Sequence, residues 1–501
     1  MTDSFYITTA IDYSNGQPHL GHAYEKIGAD CIARYRRLRG QKVHFLMGMD
    51  EHGQKVAQAA ETAGQDPQAW VDSIAEDFQS AWKELNISHT DFIRTTEKRH
   101  ARAVGELLRR IQAKDHFFES TYAGYYCVGC EAFKQEKDLK DGQCPDHPSR
   151  EVKWVEEPNF FFRQSTFIPK LLELYDQNPQ FVRPKPKMNE IRNVVEGGLQ
   201  DISVSRARLP WGIPWPDDPD HSVYVWFDAV INYLSATGFP DDGFEEIWPA
   251  DLHVIGPDIA RFHAALWPAM LMAADLPIPR GIWSHGWMTF SGERFSKSAG
   301  VGVALREVID HHGVDALRYF LIREIPWDSD GNFSFERFDA RYESELADGY
   351  GNLASRVLAM IVKYLDGKLP KTSETTPLDQ AGDTVIEEYV DSMDQHLLHL
   401  GAQAAWKLVA RANQYVEESQ PWALYKEGKT EELGTVLTSL ARAIARVTLM
   451  ASPFMPGKTN DVWASLGLSR TVQEAVWRDL EEPPVSGATV IKPPPLFPKV
   501  A

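Results

Sequence analysis

The chain reads as an α/β protein: a Rossmann-type, doubly wound parallel sheet split by an insertion and followed by an all-α helix bundle. Three observations lead there. The first fifty residues alternate strand, helix and strand. Strand-like segments lapse near Tyr122 and resume only after a stretch of prolines, aromatics and cysteines. Beyond Phe338 strand signals give way to long helical periods.

Phe5 to Ala10 is a short apolar run that stops at a Gly/Pro loop, Asn15 to Pro18, and reads as a strand. Leu20, Tyr24, Ile27, Cys31, Tyr35 and Leu38 then recur at intervals of 4, 3, 4, 4 and 3, the period of one helix face, and Gly40 ends the helix. Val43 to Met47 is the second strand. A strand-helix-strand unit of this length implies a right-handed crossover and a parallel pair. From Tyr122 to about Pro219 the pattern breaks into an insertion, after which Val223 to Trp226 and Leu252 to Ile255 resume as strands. Leu397 to Val416 and Leu433 to Ala451 carry helical periods with few glycines, as a bundle requires. The terminal Ile491-Lys492-Pro493-Pro494-Pro495 excludes helix and central strand, so the tail is expected to run as an extended strap. The expected divisions are 1–115 and 221–293 for the two sheet halves, 116–220 for the insertion, 294–345 for a connecting region, 346–480 for the bundle and 481–501 for the tail.

Composition narrows the function classes. Four cysteines in 501 residues exclude a disulfide scaffold, and the longest apolar stretch, Ala264 to Ala274, ends at Asp275 well short of a bilayer span. The first residues carry no basic segment followed by an apolar run, so no secretory signal is read and the cytoplasm is the expected compartment. With 52 basic against 71 acidic residues the net charge is −19, which excludes indiscriminate nucleic-acid binding by overall charge. Any such contact must use local basic or aromatic patches.

Three motifs carry chemistry. His19-Leu20-Gly21-His22 stands where the first strand's loop enters its helix, a place where backbone N–H groups and the helix dipole suit phosphate and two imidazoles share a face. Taken alone it also fits an ordinary helix start with two surface histidines. Gly292 to Gly300 brackets Arg294, Ser296, Lys297 and Ser298, a loop able to close over a triphosphate. Alone, it fits a solvated basic turn as well. Cys127-Val128-Gly129-Cys130 and Cys144-Pro145-Asp146-His147 pair a Cys-x-x-Cys with a Cys-x-x-His across thirteen residues, the ligand set of a structural zinc knuckle. Four protein ligands leave the metal no open position for chemistry. Cys31, on the helix face, is expected to be packing.

A His/Gly/His element on a strand-loop-helix, followed after an insertion by a Ser-Lys-Ser loop, resembles the class I aminoacyl-tRNA synthetases. From about Tyr6 to Trp422 the order of motifs is similar to the methionyl-tRNA synthetase family: Ala10 to Gly16, Asp50-Glu51-His52-Gly53, Ser205-Arg206, Val225 to Ala229, Ile255 to Asp258, Phe262-His263, Asn352 to Arg356 and Gln420-Pro421-Trp422. The signature loop departs from that family's pattern, beginning Arg294-Phe295 where Lys-Met is usual. Arginine keeps the charge, so altered loop dynamics rather than lost activity are expected.

The resemblance implies a two-step reaction. Methionine attacks the α-phosphate of ATP, accompanied by Mg²⁺, and the methionyl group then passes to the terminal adenosine of initiator and elongator tRNA. It implies that His19, His22, Lys297 and Arg294 act on the phosphates, with Gly21, Gly256, Asp258 and Ser296 on the nucleotide side. It implies that Asp50 receives the ammonium and Arg206 orients the carboxylate, while Ala10, Ile11, Tyr13, Trp226, Ala229, Tyr233 and His263 form the methionine pocket. Asn352, Arg356 and Trp422 would read the anticodon CAU. From the residues alone, Asp50 fits a helix N-cap, Trp226 and Tyr233 fit a core, and Trp422 with Arg356 fits a core indole and a solvated cation. The rival readings are a class I synthetase for cysteine, leucine, isoleucine or valine, or a non-catalytic zinc-ribbon tRNA-binding protein. For leucine, isoleucine and valine a larger editing insertion is expected than the roughly 100 residues present here. The absence of an added C-terminal barrel leads to an expected monomer.

Overall fold

The computed structural model describes residues 4–127, 132–134, 136–145, 151–207, 209, 211–290, 292–294, 303–493 and 495–499, with backbone alone at 132, 133, 137, 293 and 294. A seven-stranded parallel sheet forms the centre. Strand β1 (Ser4–Thr9) is flanked on one side by β3 (Lys42–Asp50), with Ile7 opposite Phe45, and on the other by Leu252–Ile255, with Ile7 opposite Leu252. Beyond β3 lie β2 (Asp12–Tyr13) and β4 (Asp91–Arg94). Beyond Leu252–Ile255 lie Ile282–Ser284 and then Val182–Arg183. The chain leaves β1 for one neighbour and returns, after the insertion, to the other. That reversal opens a crevice at the carboxyl ends of β1 and Leu252–Ile255, where ligands bind in sheets of this kind.

Helix α1 (Leu20–Leu38) crosses from β1 to β3 and is buried on nearly every side. Gly28 permits this, because a Cβ there would lie 2.0 Å from the Trp327 ring. Arg318, fully buried, donates to Asp30 at 2.6 Å and to the carbonyls of Leu85, Pro453 and Phe454, fastening α1 to the helical part. Cys31 is buried packing as expected, its thiol 3.2 Å from the Pro453 carbonyl and pushed up to about 12 by burial.

The insertion is an antiparallel sheet in which Phe117–Cys127 pairs with Val152–Phe162 along its whole length, with Ala132–Lys134 and Ile202–Ser203 at its edges. Two sequence expectations are corrected. Val182-Arg183, inside the expected insertion, is an edge strand of the central sheet; two residues are too few to show a period. Val225-Trp226, read as strand, starts the helix Val225–Ala229, because the strand Asp218–Val223 ends at the crevice.

The bundle is built on Asn352–Tyr364, Pro377–Asp394, Leu398–Ser419 and Thr430–Ala451. Thr430–Ala451 is long and apolar enough to cross a membrane by composition, a length not foreseen from the sequence, yet 89% of its apolar window is buried inside the bundle. The tail runs extended over the bundle: Val490 N–H donates to Gly367, Leu369 N–H to Ala488 and Ile491 N–H to Ser465.

Candidate active site

A cavity of about 440 Å³ opens at the crevice. At one end stand the histidines. His19 is the N-cap of α1, and its ring folds back so that Nδ1 accepts the N–H groups of Gly21 at 3.1 Å and His22 at 3.4 Å. His22 Nδ1 in turn accepts the His19 N–H at 3.3 Å. The rings stack, with centroids 3.6 Å apart. A Cβ on Gly21 would lie 3.1 Å from the His19 ring, so glycine is what admits this fold-back. The expectation that bare backbone N–H groups await a phosphate is corrected, since the imidazole occupies two of them. An Nδ1 that accepts is unprotonated, so in both neutral rings the proton sits on Nε2. The helix end thus carries two stacked imidazoles, each with its proton on Nε2.

Glu25 and Asp258 bring carboxylates to the same cavity beside Gly256 and His285. Burial lifts Asp258 above the usual range. Burial works to lift Glu25 too, but Lys26 and His285 outweigh it and hold it low. Lys26 Nζ, itself buried, donates to Glu25 at 2.8 Å, Asp12 at 2.8 Å and the Ala10 carbonyl at 2.9 Å. Sequence reasoning missed Asp12, Glu25, Lys26 and His285. The available signal was a charged pair, Glu25-Lys26, in a helix that packs on every side.

The other end is aromatic and apolar. Ala10, Ile11, Tyr13, Asp50, Trp226, Ala229, Tyr233 and His263 all line the cavity. Trp226 stacks on Phe262 at 4.7 Å. His263 Nδ1 lies 3.0 Å from the Ile259 carbonyl, which fixes its proton there, so Nε2 accepts the Tyr233 hydroxyl at 2.7 Å. Burial pushes His263 down to about 4, keeping the pair neutral. Behind this wall Asp228 takes His52 Nδ1 at 2.7 Å and His100 Nε2 at 2.6 Å.

Arg206 is the exception among the described candidates. It does not line the cavity: Nη1 donates to the Ser205 carbonyl at 2.7 Å and Ser203 Oγ at 3.0 Å, and its guanidinium lies 4.1 Å above the Tyr224 ring. These contacts place it at the root of the insertion. Ser296 and Lys297 lie outside the described residues, and of Arg294 only the backbone, in a short strand, is described.

Comparison with known proteins decides the family. A family model described as "tRNA synthetases class I (M)" matches residues 5–153 and 147–358, and one described as "Anticodon binding domain of methionyl tRNA ligase" matches residues 368–501. The chain belongs to the methionyl-tRNA synthetase family. The methionine–tRNA ligase of Thermotoga maritima is 44% identical over 99% of this chain and 80% of its own length. That of Streptomyces coelicolor is 41% identical over 99% of this chain and 97% of its own. A Mycobacterium tuberculosis methionyl-tRNA synthetase in complex with methionyl-adenylate superposes with TM-score 0.94 at 40% identity, covering 99% of this chain and 100% of that one. The free-state structure from the same organism gives 0.88 at 37% identity, over 99% of this chain and 98% of that one. The activity is therefore that of an ATP-dependent class I methionine–tRNA ligase.

Asn352 is exposed and Arg356, one turn on, pairs with Glu417 at 2.6 Å; both lie in the stretch matched by the class I model, just ahead of the matched anticodon-binding domain, which holds Glu417. Trp422, half-buried, lies in Pro421–Lys426, and Tyr364 stacks on Tyr425 at 4.5 Å, which sets the helices bearing these residues side by side. In the insertion, Cys127 and Cys144 are buried although the intervening Lys140 to Gln143 are not, and neither forms a disulfide. Two buried thiols on an exposed tip fit a thiolate metal site. Cys130 and His147 lie outside the described residues.

Proposed function

We propose that the cavity forms methionyl-adenylate with the residues in the following roles. The thioether enters between Trp226, Tyr233, His263, Ile11, Tyr13, Ala10 and Ala229, a wall rich in ring edges that suits a long polarizable side chain. Asp50 receives the ammonium. Asp258 and Gly256 face the nucleoside. As the methionine carboxylate attacks the α-phosphate and pyrophosphate leaves, His19 and His22 present their Nε2–H groups to phosphate oxygens. Those donors are fixed before the reaction, because each ring's other nitrogen is held by the helix cap. Preorganised donors of this kind stabilise developing charge without reorganisation. The observation that carries the reading is this stacked, mutually capped imidazole pair at one end of a cavity whose other end is aromatic.

Lys297, with Ser296 and Arg294, closes on the triphosphate from the signature loop. Mg²⁺ entering with ATP would supply charge neutralisation at the phosphates. Cys127, Cys130, Cys144 and His147 hold one structural Zn²⁺ that orders the insertion. Asn352, Arg356 and Trp422 take splayed bases of the CAU anticodon, the indole by stacking. The enzyme works as a monomer in the cytoplasm on initiator and elongator tRNA. ATP–pyrophosphate exchange across a panel of amino acids tests the reading: methionine alone should support rapid exchange, and better activation of leucine or cysteine would overturn the pocket.

A further inference from the structure

Asp12 is one cavity-lining residue that none of these roles uses. It is 5% exposed, and its two carboxylate oxygens are treated differently by the fold. Oδ1 receives Lys26 Nζ at 2.8 Å, while Oδ2 is buried with no hydrogen-bond donor among the described residues. Lys26 has nothing left to offer, since its three N–H groups go to Asp12 Oδ1, Glu25 Oε1 and the Ala10 carbonyl. A buried acceptor left unpaired is costly, and native structures retain one where a partner arrives later.

We propose that Asp12 is a further substrate-binding residue, whose Oδ2 accepts a hydrogen bond from a donor on the bound substrate, and that Lys26 is its positioning residue. The proposal rests on the cavity being the methionyl-adenylate site. Two donors of that substrate have the right chemistry: the methionine ammonium and a ribose hydroxyl of the nucleotide. The placement serves either, because β2 pairs with Met49-Asp50 at the amino-acid end while α1 brings Lys26 and Glu25 from the nucleotide end. Burial lifts Asp12 to about 6 even with Lys26 beside it, as expected of a carboxylate whose hydrogen bonds are incomplete.

Lys26 also ties helix α1, with its histidine pair, to the Ala10 carbonyl at the start of the methionine wall. Loss of its charge should therefore disturb the same constant as loss of Asp12.

The test is pyrophosphate exchange by the full-length enzyme and its Asp12→Asn variant, which keeps the shape and an oxygen for Lys26. A tenfold to hundredfold rise in the methionine KM alone is expected if the ammonium is the donor. A rise of that size in the ATP KM alone, with lost preference for ATP over 2′-deoxy- and 3′-deoxy-ATP, identifies the ribose. Lys26→Met should move the same constant, and the double variant should lose less than the two single losses multiplied, since the pair acts as a unit. If both KM values stay within about twofold of wild type, the proposal fails. Equal damage to both constants together with a lowered melting temperature would mark Asp12 as structural and also overturn it. A wild-type enzyme that does not exchange with methionine would instead refute the reading of the cavity.

Discussion

Asp228→Asn should weaken the enzyme in two separable ways. Asp228 is fully buried and accepts from His52 and His100, while His100 Nδ1 meets Ser235 Oγ at 2.9 Å. Burial would raise its pKa, but the two imidazoles outweigh it and hold the carboxyl at about 2, below the 3.8 of an unperturbed aspartate. The sign follows from linkage: with the folded value below the unfolded one, the contribution is complete above about pH 4 and is lost as pH falls toward 2. A displacement of that size is worth roughly 2–3 kcal/mol. Asparagine has one acceptor for two N–H donors, so one imidazole must change tautomer or go unpaired. The expected loss at neutral pH is therefore about 2–3 kcal/mol in denaturant unfolding, with the gap to wild type closing below about pH 4. The second effect is on substrate. Trp226 and Ala229 share the short helix of Asp228, and Asp50 lies two residues before His52, so the methionine KM should rise while the ATP KM holds. Stability within about 0.5 kcal/mol of wild type at neutral pH, or an unmoved methionine KM, would refute the reasoning.

Lys297→Ala should slow pyrophosphate exchange roughly a hundred- to a thousandfold, the usual loss for one donor to a developing charge, with little change in methionine binding; near wild-type exchange would remove the loop from the mechanism. Cys144→Ser should abolish the one zinc per chain that elemental analysis is expected to find in protein purified without chelator, and a metal-free wild type would refute the knuckle. Trp422→Ala should raise the tRNA KM about five- to 150-fold, the 1–3 kcal/mol of one stacked base, while leaving tRNA-independent exchange intact; equal damage to both steps would make Trp422 a core residue. Tyr233→Phe leaves buried His263 Nε2 without its 2.7 Å partner, so a stability loss of about 1–3 kcal/mol is expected. It should also bring a narrower preference for methionine over leucine in exchange assays, and an unchanged preference would count against the hydroxyl as a wall.

What the sequence made legible was local. The run from Phe5 to Met47 announces strand, helix and strand because a period needs only neighbours, and His19-Leu20-Gly21-His22 announces a helix start because caps are built within four residues. Even there the detail escaped. That the His19 ring turns back to take the Gly21 and His22 N–H groups depends on a rotamer that one-dimensional spacing does not carry. Other placements depend on distant parts of the chain. Arg206 is singled out by its motif, but its contacts with Ser203, Ser205 and Tyr224 are set by how the insertion folds onto the sheet. Val182-Arg183 joins the central sheet with two residues, fewer than any periodicity can register.

The charged residues show most clearly why distance in sequence limits the reading. On a helical wheel Glu25 and Lys26 fall beside the apolar stripe of α1 and pass for its solvated edge. In the fold that edge is not solvated, because Arg318 and the bundle's Pro453 cover α1 on one side while the sheet covers the other. Once water is excluded, each charge needs a partner, and Lys26 finds Asp12 and Glu25 while Glu25 finds His285. The same logic joins His52 to Asp228 across 176 residues and His100 to Asp228 across 128. These links span the insertion, so only the folded sheet brings the partners together. A buried ionic pair adds little net stability, but losing one partner is costly, which makes such pairs good fasteners for a domain whose two halves are far apart in the chain. The methionine wall hangs on those fasteners: Trp226 and Ala229 on the helix of Asp228, Ala10 on the ammonium of Lys26.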